Sequence, residues 1–164
     1  AIETGLDSAN VYRNLAISYE RLDEDEKAEM HFKSALARDP NDPVTLNYLG
    51  YWWAESGRQL TQAIKLIEQA VQLRPDSGFF VDSLGWVHYQ LGNYQLAIEF
   101  LEKATMLEPE DAVIIGHLGD AYWQANRHSE ALYKWRYAAQ ITNDSALQAD
   151  LQAKLVSGLP VARQ

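Results

Sequence analysis

The sequence predicts an all-α fold of helical hairpins laid end to end, and three observations predict it. Residues 78–111 make a unit of 34 residues that recurs in register along the chain. Inside it Val81, Leu84, Gly85 and His88 fall at i, i+3, i+4 and i+7, and Ala97, Leu101 and Ala104 repeat that helical spacing, so the unit carries two stripes, each on its own helix. Gly92 and Asn93 lie between the stripes, and Pro109 follows the second. A glycine at that point takes the left-handed conformation that ends one helix and lets the chain double back, while a proline cannot continue a helix. Each unit therefore reads as an antiparallel pair of helices, closed at its far end.

The elements follow in order. On the same frame, residues 1–8 put Ala1 at a helix-packing position and Asp7 and Ser8 in a loop. This stretch is expected to be the remnant of a preceding second helix, and with no initiator methionine it fits a piece of a longer array. Residues 9–42 give Tyr12, Leu15, Ala16, Tyr19, Ala28, Phe32, Ala35 and Pro40 at the repeated positions, with Asp23 at the turn and a charged run that marks a solvated loop. Residues 43–77 give Leu46, Leu49, Gly50, Trp53, Ala63, Ile67, Ala70 and Pro75, with one extra residue between Gly57 and Gln62 that a turn absorbs. After the unit at 78–111, residues 112–145 give Leu118, Gly119, Tyr122, Ala131, Trp135 and Ala138; Asn126 replaces the turn glycine, and asparagine tolerates that conformation. The small residues have a packing reason: Gly85 and Ala97 let two helix backbones approach closely.

Residues 146–158 read as a capping helix. Asp144 or Ser145 can cap it, Leu147, Leu151 and Leu155 recur every four residues, Val156 is expected to widen the stripe, and Gly158 and Pro160 end it. A last repeat leaves an apolar face open, and a terminal helix with a polar outer side covers it, so the array is expected to end here, with residues 159–164 as a tail.

Four registered copies of these positions resemble the tetratricopeptide repeat (TPR) family over residues 9–145. The resemblance implies an α-solenoid, with helix pairs stacked into a right-handed superhelix, the first helix of each pair lining a concave groove and the second lying outside. It also implies a protein-interaction scaffold rather than an enzyme, without naming the partner. The phrases D-S-L-G-W and H-L-G-D-A-Y-W resemble bacterial repeat proteins, often envelope-associated, more than eukaryotic co-chaperones.

Composition and motifs agree. No run approaches the length of a membrane helix, and no signal-peptide pattern opens the chain. Zero cysteines exclude disulfides and thiolate chemistry. A net charge of −9 argues against wrapping nucleic acid, whose binding rests on lysine and arginine at phosphates. That charge is uneven: residues 78–111 hold 1 basic and 6 acidic side chains, making the third unit the acidic centre. The motifs of serine hydrolases, zinc proteases, P-loops and dinucleotide sites are missing, and no cofactor is expected. His88 and His117 sit on first helices of neighbouring units, where a metal pair is the sharp reading and core or rim histidines the bland one. Acidic pairs such as Glu24 with Glu26, and Glu110 with Asp111, fall in inter-helix loops that provide no cleft to shift a pKa.

The groove remains. In the family, unit positions 2, 5, 9, 12 and 13 face it, which assigns Asn10 and Arg13 in the first unit and Asn47 and Tyr51 in the second. The third unit supplies Asp82, Trp86 and Tyr89, and the fourth Asp120 and Trp123. Chaperone-binding members grip a terminal carboxylate with lysine and asparagine at positions 5 and 9; here those positions read Arg13 with Ile17, Asn47 with Tyr51, Asp82 with Trp86, and Gly116 with Asp120, so the clamp is absent. Trp52 and Trp53 are assigned to packing. An aromatic groove carrying Asp82 and Asp120 suits a protein or peptide segment with apolar side chains and one or two basic residues. Two rival readings are self-assembly into homo-oligomers and a regulatory segment of an enzyme lying upstream.

Overall fold

The computed structural model describes residues 8–160, and all regular structure among them is α-helical. The reading of residues 1–7 as part of a severed helix, and all but the first two residues of the tail, lie outside the described residues. Helix α1 (Ala9–Glu20) pairs with α2 (Asp25–Arg38), α3 (Pro43–Glu55) with α4 (Leu60–Leu73), α5 (Gly78–Gln90) with α6 (Tyr94–Leu107), and α7 (Ala112–Gln124) with α8 (His128–Ile141). A last helix, α9 (Ser145–Ser157), packs on α8. Each second helix also touches the next first helix, and α3, α5 and α7 touch one another in sequence, so the hairpins stack as a solenoid with first helices side by side.

Small residues set the spacing within each hairpin. A methyl added at Gly50, Gly85 or Gly119 would come within 2.6 Å of Ile67, 2.6 Å of Leu101 and 2.5 Å of Trp135, the residues at the matching point of the paired helix. The first hairpin uses Ala16 there, buried beside Phe32. Trp53 is buried in that same core cluster and Trp52 packs against it, as the packing assignment requires.

The turns obey the left-handed expectation: φ is +76° at Gly92, +61° at Asn126, +57° at Asp23 and +65° at Gly57. The extra residue of the second hairpin brings a second left-handed position, Gln59 at φ +47°, directly before α4. The loop acids have a structural task. Asp42, Asp111 and Asp144 cap α3, α7 and α9, each accepting two backbone N–H groups of the first turn, which would otherwise lack partners.

Two core expectations are corrected. Leu15 is 39% exposed, whereas its counterparts Leu49, Leu84 and Leu118 are buried, because no described helix packs on that side of the first hairpin. Val156 is 89% exposed and does not widen the stripe of α9. One residue beyond Leu155 is a 100° rotation away from it, and the flank of the stripe is taken instead by Lys154, which turns inward to Asp120.

Candidate functional site: the concave face and its closed end

The first-helix residues assigned to the groove divide into an aromatic cluster on α3, α5 and α7 and a part occupied by the chain itself. In the cluster, Trp86 of α5 is stacked between two rings: Tyr89, one turn on, with centroids 4.7 Å apart, and His117 of α7, at 4.2 Å. His117 Nδ1 lies 2.9 and 3.1 Å from the two carboxylate oxygens of Asp82 on α5. Burial pushes the imidazole towards neutrality, but the Asp82 charge, its hydrogen bond and the nearby Asp120 outweigh that, and the His117 pKa is raised above its ordinary value. Tyr51 of α3 donates to Glu55 at 3.3 Å. Its phenol is held well above the usual range by burial, then by the charges of Glu55 and Asp82. Burial, with the charge of Asp120, also pushes Tyr89 up to about 12. Tyr51, Asp82, Trp86 and Tyr89 therefore share one patch, contributed by α3 and α5 and buttressed by α7.

The other assigned residues lie elsewhere. Asn10 is exposed on α1. Arg13 reaches across to the second hairpin and donates to Asp42 at 2.6 Å, binding the cap of α3. Burial works against the Asp42 charge, yet hydrogen bonds from Thr45 and Arg13 prevail and hold its carboxyl below the usual value. Asn47 is half-buried, and its side-chain oxygen is enclosed without a hydrogen-bond partner, as is the indole N–H of Trp86.

Asp120 and Trp123 are engaged at the closed end. Asp120 is 4% exposed, accepts from the Trp135 indole at 2.7 Å and pairs with Lys154 of α9 at 3.0 Å. Trp135 replaces the aliphatic or Phe residue of the other hairpins and brings a buried N–H with it, which Asp120 satisfies; Lys154 in turn offsets the buried charge of Asp120. Burial still raises the Asp120 pKa, with Lys154 opposing. The Trp123 ring stacks on His128 at 4.2 Å, and its N–H donates to the carbonyl of Leu159 at 2.9 Å. Gln124 donates to the carbonyl of Pro160 at 2.9 Å.

The histidine pair does not form. His88 is buried and stacks on Phe100, with centroids 5.5 Å apart, while His117 turns to Asp82. No group of three or more metal-binding side chains gathers among the described residues. Sequence reasoning assigned no groove role to His117 or Lys154. The signal for Lys154 was present as a lysine on the apolar flank of the capping helix.

Family models agree with this architecture. Residues 11–77 match the model described as YpiA-like, C-terminal tetratricopeptide repeats, and residues 88–133 match a tetratricopeptide repeat model, which together cover more than half of the chain. The chain belongs to the tetratricopeptide repeat family. A TPR repeat-containing protein of Pseudomonas aeruginosa, PA4667, is 30% identical over 96 residues, covering 56% of the chain but only 16% of that relative's length. Among solved structures, PilF of Pseudomonas aeruginosa superposes with a TM-score of 0.74 at 23% identity, over 94% of this chain and 71% of PilF. A chain from the APC/C hetero-tetramer Cut9–Hcn1 gives 0.78 at 21% identity, over 93% and 30%. These two likenesses are of fold. TPR solenoids are generally protein-interaction scaffolds.

Proposed function

We propose that the concave face of α3, α5 and α7 receives a segment of a partner protein against Tyr51, Trp86 and Tyr89, with no chemistry performed on it. The observation that carries this reading is the stack of Tyr89 and Trp86, both partly exposed, on the largely buried His117. Large, stiff rings held in place before binding lose little entropy when a partner packs on them, and such rings dominate interface energetics. Asp82 and Asp120 each face a basic group within the chain, so the partner segment is recognised first by apolar side chains. A basic residue in it would be met by Glu20 and Glu55, at the end of α1 and α3, rather than by the groove floor.

The test is selection from a random-peptide phage library on the wild-type chain, followed by affinity measurement on Trp86→Ala and Tyr89→Ala. The selected peptides are expected to be rich in apolar residues and to bind Trp86→Ala roughly 30-fold more weakly, the equivalent of about 2 kcal/mol for one aromatic hot spot. Peptides that bind a folded Trp86→Ala chain as tightly as the wild type would remove the groove from consideration.

A further inference from the structure

Residues 158–160 sit on the concave side of the fourth hairpin in the manner of a bound peptide. Two consecutive carbonyls, of Leu159 and Pro160, accept hydrogen bonds from the side chains of Trp123 and Gln124. The Leu159 side chain packs against the core cluster that Trp123 and Tyr89 also border. The approach is close enough to require glycine before it: Gly158 has φ +67°, and a methyl placed there would collide with the Trp123 ring. None of this is needed to cap the array, because Leu151 and its neighbours on α9 already cover α8. Trp123 and Gln124 occupy the unit positions that Tyr89 and Gln90 occupy one repeat earlier, and Gln90 is exposed.

We infer that this groove reads an extended segment through its main-chain carbonyls, and that residues 158–160 are a built-in occupant of its last repeat. An incoming segment of like chemistry, a glycine followed by a branched apolar residue and proline, must displace them. The inference rests on the groove reading above and adds to it the class of partner and a competitor. Side-chain donors at positions 12 and 13 fix the strand by groups that every residue possesses, while the glycine and leucine supply the selectivity. A tethered occupant lowers the apparent affinity of a free one to the intrinsic value multiplied by the fraction of time the site stands vacant.

The test uses Gly158→Val, which pushes the segment off Trp123 while lying beyond the end of α9, and a second chain ending at Ser157. The probe is the capped peptide Ser-Gly-Leu-Pro, with Ser-Gly-Ser-Pro as control. The readout is the Trp123 indole N–H resonance, assigned by its loss in Trp123→Phe. In both altered chains this resonance is expected to move and to exchange faster with solvent, and the leucine peptide is expected to restore it. That peptide should bind the altered chains about tenfold more tightly than the intact protein. An unmoved resonance, or equal affinity for the leucine and serine peptides, overturns the inference. The groove reading fails separately, through unchanged phage-peptide affinity in Trp86→Ala, so either can fall while the other stands.

Discussion

His117 on α7 holds Asp82 on α5 through a pair of contacts at 2.9 and 3.1 Å, and with it joins the third and fourth repeats beneath the Trp86 ring. Both side chains are largely withdrawn from water, at 13% and 9% exposure. The groups facing His117 are Asp82, the more distant Asp120, and Lys154, whose charge opposes them.

Because its pKa is raised in the folded state, His117 contributes stability in full below about pH 6.5, and that contribution is lost as pH rises through the folded value. Replacing it with phenylalanine keeps a ring on Trp86 but leaves Asp82 buried without its cation, at a cost of about 3 kcal/mol. The wild-type melting temperature is expected to exceed that of His117→Phe most in mild acid, with the gap narrowing towards alkaline pH. Parallel pH profiles for the two proteins would show that the pair is not an ion pair.

Lys154 and Asp120 are expected to behave as one unit. Lys154→Met leaves a buried carboxylate without its cation and should destabilise by about 3 kcal/mol at neutral pH. Asp120→Asn keeps an acceptor for Trp135 and should cost less, since Lys154 retains Asp150 at 2.8 Å. In urea denaturation the double variant is expected to be more stable than the two single effects predict, by about 1–2 kcal/mol, within the range of roughly 0.5–3 kcal/mol seen for residues in one network. Simple additivity would mean that the two groups do not communicate.

These networks mark the boundary of what the sequence discloses. The repeat register came from spacing alone, because Gly50, Gly85 and Gly119 must be small for the helices of a hairpin to meet, and that requirement recurs at a fixed interval. Periodicity assigns a side chain to a face of its helix, and the family resemblance assigned the face that carries Asp120 and Trp123 to the groove. What returns to cover that face is decided by residues 34 to 36 positions later, and no local pattern encodes it. Val156 shows the same gap from the other side: a stripe of leucines fits either flank until a tertiary partner, here Asp120 for Lys154, selects one. The capping role of Asp144 was read directly from its place before the last helix, and those of Asp42 and Asp111 were legible by the same rule, although Asp111 was considered only as half of an acidic loop pair.

The capping helix supplies a contrast within a few residues. Leu151 has no exposed surface, and Leu151→Ala is expected to destabilise by about 2–5 kcal/mol, with the fourth hairpin losing hydrogen-exchange protection first. Val156→Asp, on the exposed side of the same helix, should change stability by no more than about 0.5 kcal/mol. A reversed order would mean that α9 docks by a different face.

The last prediction concerns the left-handed turn residues, which form a graded series of the same conformation in different chemistry. Holding an ordinary side chain there costs about 1–2 kcal/mol, which asparagine and aspartate reduce by local hydrogen bonding. Glycine avoids that cost but loses about 0.5–1 kcal/mol through its freer unfolded chain. Gln59, at φ +47° with only a long 3.5 Å side-chain contact to Glu29, carries the cost with least compensation, so Gln59→Gly is expected to stabilise by about 0.5–1 kcal/mol. Asp23→Gly and Asn126→Gly, at φ +57° and +61°, should fall near zero because the two terms cancel. Gly92→Ala, at φ +76° with open space around the new methyl, should destabilise by about 1 kcal/mol from backbone strain alone, since nothing there can clash. Denaturant midpoints for the four variants would test the order, and an Asn126→Gly gain equal to that of Gln59→Gly would mean that the inserted residue of the second hairpin is not strained.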